Sequence, residues 1–366
     1  MPHTNLARLT RVAMATLIVV TLVPLVSVAQ TSSPATASSP LYREVTDETG
    51  RTVRLPQQIH RIITLSPNLT EIVYALGLQD ELVGNTTYCD YPPEAQKKTK
   101  VGDTINPSIE EIATLHPDIV LVTKGNRLET VYALEKLGIP SYGTDPHTIE
   151  EIAASTKRLG EILGAGEAAT AVVADFHHRL ADVQQHVASA PMARVLFVVW
   201  TEPLISISKD TFIADALRYA GATSIVDSTA PWPRMNLEEV VKLQPDFLVF
   251  PDAKSGPGPH TLETMADLPG WRLLNAVRNH KIAVVNEVID RPAPRIITAI
   301  EELARQLHPE AFLERPPDST DKEKEKSQPE NVNPPQSLKQ HLQSVATPQA
   351  ELSLLTPPKD LVPCAR

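Results

Sequence analysis

Two stretches of the chain share one pattern of polar and apolar positions. Residues 108–122 have the sequence SIEEIATLHPDIVLV, and residues 236–250 have the sequence NLEEVVKLQPDFLVF. Each stretch begins with a residue type that caps helices, Ser108 or Asn236, and each carries Glu three positions later, which predicts a capped helix. Each then passes through Pro-Asp into a continuous apolar run, which predicts a strand buried on both faces of a parallel sheet. The repeat therefore predicts two similar α/β lobes.

Each predicted helix start in the repeat carries two adjacent acids. Glu111 and Glu239 stand at the position of a capping-box partner, whose side chain binds the backbone of the cap residue. That arrangement leaves Glu110 and Glu238 free to face the solvent, in the first turn where the helix dipole favours a carboxylate.

The remaining pattern fills each lobe with further strands and helices. Asn68 and Glu71 predict the cap of the first helix. Strands are predicted at 61–65, 83–86 and 140–142 in the first lobe and at 194–200 and 281–285 in the second. Helices are predicted at 68–77 and 127–137 in the first lobe and at 211–220 and 294–307 in the second.

A long helical stretch lies between the two lobes. Thr148 and Glu151 form another capping box, which opens a helix to about Leu163. Residues 167–189 then run without Gly or Pro, with apolar residues at helical spacing. One helix of that length would span about 35 Å. We therefore predict two Rossmann-like α/β lobes joined by one long rigid helix, with a ligand site in the cleft between them.

The two ends differ from this folded part. Arg8 and Arg11 precede an apolar run that ends in Ser-Val-Ala, which predicts a signal peptide cleaved near Ala29. An uncleaved anchor is the alternative. No cysteine lies near the cleavage site, so a lipid anchor is not predicted. The predicted organisation is a signal peptide at 1–29, a disordered linker at 30–41, lobes at 42–147 and 192–314, bridging helices at 148–191, and a disordered Pro- and charge-rich tail at 315–366.

Composition narrows the classes of function. Hydrophobic residues make up 42% of the chain, enough for a sizeable core, and the formal net charge is −10, which disfavours nucleic acid as a partner. Two cysteines are too few for a disulfide scaffold. The sequence carries no phosphate-binding loop, no nucleophile elbow, no H-E-x-x-H motif and no G-x-G-x-x-G motif. The α/β pattern therefore does not indicate a dinucleotide-binding enzyme, and we expect no catalysis and no intrinsic cofactor.

Histidine and cysteine give weaker signals. His177, His178 and His186 lie on the predicted bridging helix, where a solvated helix face is favoured over a metal site. Cys89 is interpreted as a buried free thiol, with a metal ligand, a reactive thiol or a bridge to Cys364 in the tail as alternatives.

Three loops carry the more specific signals. Residues 87–93 have the sequence TYCDYPP after a short strand. Trp232 lies between two prolines, so its backbone is stiff and its ring suits stacking on a flat ligand, with packing against the core as the alternative. Arg291 begins a third loop, RPAPR, where it either binds a ligand carbonyl or phosphate or pairs with Asp290.

These loops carry a resemblance to a known family. The motifs LSPNLTE at 65–71, DYPPEAQ at 90–96, Pro-Trp-Pro at 231–233 and PRII at 294–297 resemble those of the periplasmic cobalamin-binding proteins of ABC vitamin B12 importers. Those proteins lie within the wider superfamily of iron-siderophore and cobalamin receptors. The resemblance runs from about Arg61 to Gln306 and implies the class III periplasmic-binding-protein fold.

The resemblance also implies a set of ligand-binding residues. It implies a contacting tyrosine at Tyr88, a stacking tryptophan at Trp232 and an arginine near the corrin side chains at Arg291. Asp90 belongs to the same motif as Tyr88. Three positions that are aromatic in the best-known member are Thr104, Thr123 and Leu204 here, which makes a related corrinoid or another tetrapyrrole the alternative to cobalamin.

The resemblance implies a transport partner as well. In that family one acid on each lobe docks on arginines of the permease, and these acids fall on Glu110 and Glu238. We therefore expect a monomeric periplasmic protein that carries cobalamin or a related corrinoid to an ABC permease–ATPase complex. The alternatives are a haem or ferric-siderophore receptor of the same fold and, from another class, a tetrapyrrole-processing enzyme.

Overall fold

The computed structural model describes residues 41–252 and 267–313, and it contains the two predicted parallel sheets. The predicted signal peptide, nearly all of the linker and the whole predicted tail, including Cys364, lie outside these described residues. Within them, no helix is long and apolar enough to cross a membrane. The predicted α/β fold class is confirmed.

The first lobe is built on a five-stranded sheet in the order β5-β4-β3-β6-β7, next to a separate β1-β2 hairpin that the sequence did not predict. Its strands β1 to β7 are Tyr42–Thr46, Thr52–Pro56, Ile62–Thr64, Leu82–Asn85, Thr99–Lys100, Ile119–Thr123 and Ser141–Thr144. Its helices α1 to α3 are Pro67–Ala75, Ile109–Thr114 and Leu128–Lys136.

The burial of β6 shows why an apolar run forms its central strand. Ile119 and Leu121 pack into one apolar cluster, and Val120 and Val122 pack into another on the opposite face of the sheet. Because successive side chains of a strand point to opposite faces, an uninterrupted apolar run satisfies both clusters.

The second lobe is built on a four-stranded parallel sheet in the order β11-β8-β12-β13. Strands β8 to β13 are Ala193–Phe197, Trp200–Thr201, Leu204–Ile205, Ala222–Ser224, Phe247–Asp252 and Ile282–Asn286. Helices α6 to α9 in the described residues are Phe212–Tyr219, Leu237–Leu243, Asn275–Arg278 and Ile296–Leu307. The predicted strand 194–200 is wrong at its end, because the chain leaves the sheet after Phe197 and forms the small β9-β10 hairpin.

A shorter helix and the predicted long helix connect the lobes. They are α4, Ile149–Leu163, and α5, Gly166–Val187, which pack against each other. The first half of α4 packs in the second-lobe core and its second half in the first-lobe core. Helix α5 begins at the first-lobe core with Ala169 and returns to the second-lobe core with Phe176 and Leu180. The bridge is therefore a helical hairpin with both arms anchored in both cores.

The predicted helix caps are confirmed in part. Thr148 and Glu151 form the predicted capping box. Ser108 caps α2 by accepting from the backbone N–H of Glu111, but the box is incomplete there, because the backbone N–H of Ser108 donates to the carbonyl of Val101 instead.

Two further cap assignments differ from the prediction. In α7 the side chain of Asn236 accepts from the backbone N–H of Glu238, so Glu239 is not its partner. The predicted cap of α1 is wrong: its cap residue is Ser66, with Pro67 at the first helical position, and the side chain of Glu71 is engaged elsewhere.

Candidate functional site

The candidate residues of the first lobe lie in loops at the carboxyl ends of parallel strands. Tyr88 and Asp90 follow β4, Thr104 follows β5, and Thr123 is the last residue of β6. In the second lobe Arg291 follows β13 after a 3₁₀ turn. This edge of an open parallel sheet is where α/β proteins bind ligands.

The side chain of Arg291 is mostly buried, at 15% exposed, and it reaches from the second lobe to the first. Its Nη1 donates to Glu71 Oε1 and to Asp90 Oδ1, both at 2.8 Å, and its Nη2 lies 3.4 Å from Glu287 Oε1. Burial acts to lower the pKa of Arg291, but the hydrogen bonds to Asp90 and Glu71 outweigh it and the pKa is raised. Asp290, the partner considered from the sequence, is not among the carboxylates that bind it in the described residues.

Glu71 is the centre of this arrangement. Its carboxylate is 3% exposed and also accepts from Arg295, at 2.9 Å from Nε and 2.6 Å from Nη2. The guanidinium of Arg295 lies over the ring of Tyr91, 3.7 Å from its centroid. We call Glu71, Asp90, Arg291 and Arg295 the inter-lobe ion cluster. Sequence reasoning missed the role of Glu71, although an acid within the buried part of α1 was a signal that it has a cationic partner.

Two more acids border the inter-lobe ion cluster, so carboxylates outnumber guanidinium groups. Glu287 lies beside Arg291, and Asp290 directly precedes Arg291 in the sequence. Asp290 is exposed at the surface, but protein atoms surround its carboxyl group closely enough to desolvate it. Desolvation, followed by repulsion from Glu287, raises the pKa of Asp290 to about 7 against the attraction of Arg291. Among the described residues, the acids of this boundary therefore outnumber its arginines.

Tyr88 and Trp232 differ in how much of the ring is available. Tyr88 is 49% exposed. Trp232 is partly buried and packs against the second-lobe core, so the packing alternative holds for part of its surface. Its loop is fixed on both sides, because Ser208 N–H donates to the carbonyl of Pro231 and Ser206 N–H donates to that of Pro233.

Thr104 and Thr123 are brought together by a residue that sequence reasoning missed. Asn126 is buried, its Nδ2 donates to the carbonyl of Thr104 at 2.8 Å, and its Oδ1 accepts from the backbone N–H of Thr123 at 2.8 Å. Thr104 itself is buried and Thr123 partly so. Leu204 lies apart from them, buried in the second-lobe core, so its side chain has little surface left for a ligand.

The sequence of this chain matches a known protein family. The sequence model of the periplasmic binding protein family matches residues 62–288, which is more than half of the chain. The chain belongs to this family. The resemblance drawn from the loop motifs is thereby confirmed.

Relatives of this periplasmic binding protein include a vitamin B12-binding protein and a substrate-binding lipoprotein of an ABC transporter. The vitamin B12-binding protein of Vibrio cholerae (strain N16961) is 30% identical over 256 residues, covering 69% of this chain and 90% of that protein. YvrC of Bacillus subtilis, an ABC transporter substrate-binding lipoprotein, is 31% identical over 279 residues, covering 74% of this chain and 87% of that protein.

Solved structures agree with this assignment. The vitamin B12 binding protein BtuF of Vibrio cholerae is matched with a TM-score of 0.61 and 29% identity, over 70% of this chain and 99% of that one. The haem-binding protein BhuT is matched with a TM-score of 0.62 at 24% identity, which is a likeness of fold alone.

The remaining sequence candidates of this periplasmic binding protein lie on the surface or in the core. Glu110 and Glu238 are exposed in the first turns of α2 and α7, and so are their neighbours Glu111 and Glu239. Cys89 is a buried free thiol, as predicted.

The histidines of α5 have local partners. His177 Nε2 lies 2.9 Å from Glu150 Oε2, and His178 lies near the side chain of Asp182. His186 Nδ1 lies 2.7 Å from the backbone carbonyl oxygen of Asp182. All three histidines are exposed, which matches the expectation of a solvated helix face.

Proposed function

We propose that this protein is the solute-binding component of an ABC importer and that it binds a corrinoid between its lobes. Relatives about 30% identical carry the name vitamin B12-binding protein, and this chain covers 90% of the length of one of them. Family members are substrate-binding transport proteins, which favours delivery over catalysis.

The observation that carries the choice of ligand is the neutralised charge of the inter-lobe ion cluster. A receptor for an anionic chelate needs arginine or lysine side chains with unsatisfied charge. Here Arg291 and Arg295 already bind carboxylates of this chain. A corrin ring bears mostly neutral amide side chains, whereas haem bears two propionates and catecholate siderophores are anionic. The site therefore favours the corrinoid.

Aromatic side chains supply the second part of the proposal. We assign Tyr88 and Trp232 to contact with the flat face of the ligand, one from each lobe, and Asp90 and Arg291 to its polar edge. We assign Thr123, which is partly exposed, to the wall of the same site, whereas Thr104 is buried and supports that wall through the contact of its carbonyl with Asn126. Stacking on an aromatic ring contributes on the order of 1–3 kcal/mol, so the loss of either ring should weaken binding roughly 5- to 150-fold.

Calorimetric titration tests the ligand. The wild type is titrated with cyanocobalamin, with a cobinamide that lacks the nucleotide loop, and with hemin. We expect the two corrinoids to bind and hemin to bind much more weakly. Tight hemin binding with no cobalamin binding would show that the charge argument has selected the wrong tetrapyrrole.

Matched variants test the site. Trp232→Ala and Tyr88→Ala should weaken cyanocobalamin binding by the factor above. Tyr132→Ala is the control, because Tyr132 is 51% exposed, close to the 49% of Tyr88, but lies on α3. Equal effects of Tyr88→Ala and Tyr132→Ala would remove Tyr88 from the site.

Delivery is assigned to Glu110 and Glu238. Because both are exposed in equivalent helix starts, they form a matched pair of charges, one on each lobe, for arginines of a permease. Such contacts raise the association rate and are sensitive to salt. The double charge reversal Glu110→Arg and Glu238→Arg should abolish docking on the reconstituted transporter and leave cobalamin affinity unchanged.

The control for docking is the neighbouring pair of acids. Glu111 and Glu239 are equally exposed, so Glu111→Arg with Glu239→Arg changes the net charge by the same amount. If this control pair blocks docking as strongly, general charge rather than a specific contact controls association.

The proposed location is the periplasm. The family and the predicted signal peptide ending near Ala29 support export. Recovery of the protein in the periplasmic fraction, followed by N-terminal sequencing, tests both. A mature chain that still begins at Met1 would favour an uncleaved anchor.

A further inference from the structure

The loop that carries the proposed first-lobe ligand contacts is built around a single lysine. This loop, residues 86–95, contains Tyr88, Asp90 and Tyr91 and connects β4 to the segment that leads into β5. Lys100, the last residue of β5, extends its ammonium group to the loop. Sequence reasoning gave Lys100 no role.

The ammonium group of Lys100 joins both ends of the loop. Its Nζ lies 2.7 Å from Asn85 Oδ1, 3.2 Å from the carbonyl oxygen of Thr86, 3.4 Å from that of Cys89 and 3.2 Å from that of Ala95. Asn85, which is fully buried, adds a bond from its Nδ2 to the same carbonyl of Ala95 at 2.9 Å. Three carbonyl oxygens from the start, the middle and the end of the loop, together with the side-chain oxygen of Asn85 just before it, thus converge on one cation.

The ammonium group of Lys100 interacts with carbonyl dipoles rather than with a carboxylate. Within the described residues, no carboxylate oxygen lies within 4.0 Å of its Nζ. Burial lowers the pKa of Lys100, although Cys89 and Asp90 act to raise it. Partly buried ammonium groups are costly unless hydrogen-bonded, so the four oxygens and the cation stabilise one another.

The held part of the loop leads directly to the proposed ligand contacts. Cys89, whose carbonyl accepts from Lys100, lies between Tyr88 and Asp90. Its thiol is 1% exposed and lies 3.2 Å from Thr86 Oγ1. Displacement of the Cys89 carbonyl would therefore move the Tyr88 ring and the Asp90 carboxylate together, and would uncover the thiol.

We propose that Lys100 is a positioning residue of the ligand site, whose ammonium group fixes the 86–95 loop so that Tyr88 and Asp90 face the second lobe. This proposal rests on the proposed function, because the loop is assigned there to ligand contact. Lys100 itself does not touch the ligand. Its effect on binding passes through the shape of the loop.

The chain offers a matched control on the same edge. Lys98, two residues earlier, binds a single carbonyl, that of Gln79 at 2.6 Å, which lies outside the loop. Lys100→Met and Lys98→Met each remove one positive charge and keep an unbranched side chain of similar length. Only the first removes the four-oxygen contact.

Two measurements on these variants test the proposal. The first is the labelling rate of Cys89 with a chromogenic disulfide reagent, in a Cys364→Ser background that leaves Cys89 as the remaining thiol of the chain. The second is the Kd for cyanocobalamin. At a temperature at which both variants stay folded, we expect Lys100→Met to speed labelling and raise the Kd by about tenfold each, and Lys98→Met to change neither. The melting temperature of Lys100→Met should fall as well, because the buried Oδ1 of Asn85 loses its donor.

The outcomes separate this proposal from the proposed function. Wild-type labelling rate in Lys100→Met, or faster labelling with an unchanged Kd, overturns the positioning role. If the wild type binds no corrinoid, the proposed function fails, and the labelling comparison alone still decides whether Lys100 holds the loop. If Lys100→Met does not fold, Lys100→Gln against Lys98→Gln replaces it, with a smaller rise expected because the amide keeps a donor.

Discussion

Removal of Glu71 is expected to be among the most damaging single changes to the inter-lobe ion cluster. Glu71→Ala breaks hydrogen bonds of 2.8, 2.9 and 2.6 Å to two guanidinium groups. Loss of one partner of a buried ion pair costs about 3–5 kcal/mol. The lower end applies here, because Arg291 keeps Asp90 and Arg295 keeps some contact with solvent. We therefore expect a loss of about 3 kcal/mol in the free energy of unfolding.

Differential scanning calorimetry gives the readout. For domains of 150–250 residues, each kcal/mol lowers the melting temperature by roughly 2–4 °C, so Glu71→Ala should lower it by roughly 6–12 °C. The control is Asp227→Asn. Asp227 binds Lys209 at 2.6 Å, the same distance as the shortest bond of Glu71, but the two side chains are 85% and 60% exposed. Solvent screens that pair, and its loss should leave the melting temperature nearly unchanged.

A double-mutant cycle identifies the partner. Glu71→Ala and Arg295→Ala are measured singly and together, because a contacting pair gives a coupling energy that independent sites do not. A coupling energy near zero, or an equal effect of Glu71→Ala and Asp227→Asn, would refute the reasoning that burial of this pair stabilises the lobe boundary.

Three further predictions concern packing and ionisation. A Cβ on Gly160 would lie 2.3 Å from the Cβ of Ala169. Gly160→Ala should therefore lower the free energy of unfolding by about 1–3 kcal/mol, despite the better helix propensity of alanine. Urea unfolding measures this loss, and Ala169→Gly in the same chain should restore part of it. Desolvation by the surrounding protein and repulsion from Glu287 raise the pKa of Asp290 to about 7, so the folded chain binds more protons than the unfolded chain between about pH 4 and 7. Stability should fall as pH rises through that window, and Asp290→Asn should flatten the fall. Burial and the neighbouring Glu150 raise the pKa of Tyr219 to about 12, so Tyr219→Phe should remove one phenol from the absorbance titration near that pH and leave the rest of the curve in place.

The parts of the fold that the sequence predicted are those set by local patterns. The strand β6 needed only its uninterrupted apolar run, because both of its faces are buried. The start of α4 needed only Thr148 and Glu151, whose reciprocal bonds lie within one turn. The β9-β10 hairpin was missed because Trp200 continues the apolar run of β8. The chain turns there through the backbone N–H of Val199, which donates to the carbonyl of Ile205 six residues later.

The candidate site was predictable in its residue types but not in its pairings. The motifs placed Tyr88, Trp232 and Arg291 in loops, where the structure has them. The partners of Arg291 depend on contacts between residues about two hundred positions apart, and no local spacing encodes them. Glu71 illustrates the problem, because its distance from Asn68 fits a helix cap while its carboxylate serves the opposite lobe. Lys100 was overlooked for a related reason, since a lysine within the run KKTK has no local feature that marks it as buried.

Because of the helical hairpin of α4 and α5, neither lobe is expected to fold when its gene segment is separated from the rest. The first-lobe core contains Leu159, Ile162 and Ala169 from the hairpin, and also Ala293 from the loop before α9. A gene fragment that ended at residue 147 would encode the whole five-stranded sheet and still lack part of its interior. We expect such a fragment to fold only when the rest of the chain is supplied in trans, and circular dichroism of the fragment alone tests this. Exchange of specificity between relatives would then proceed through substitutions in loops rather than through the shuffling of lobes.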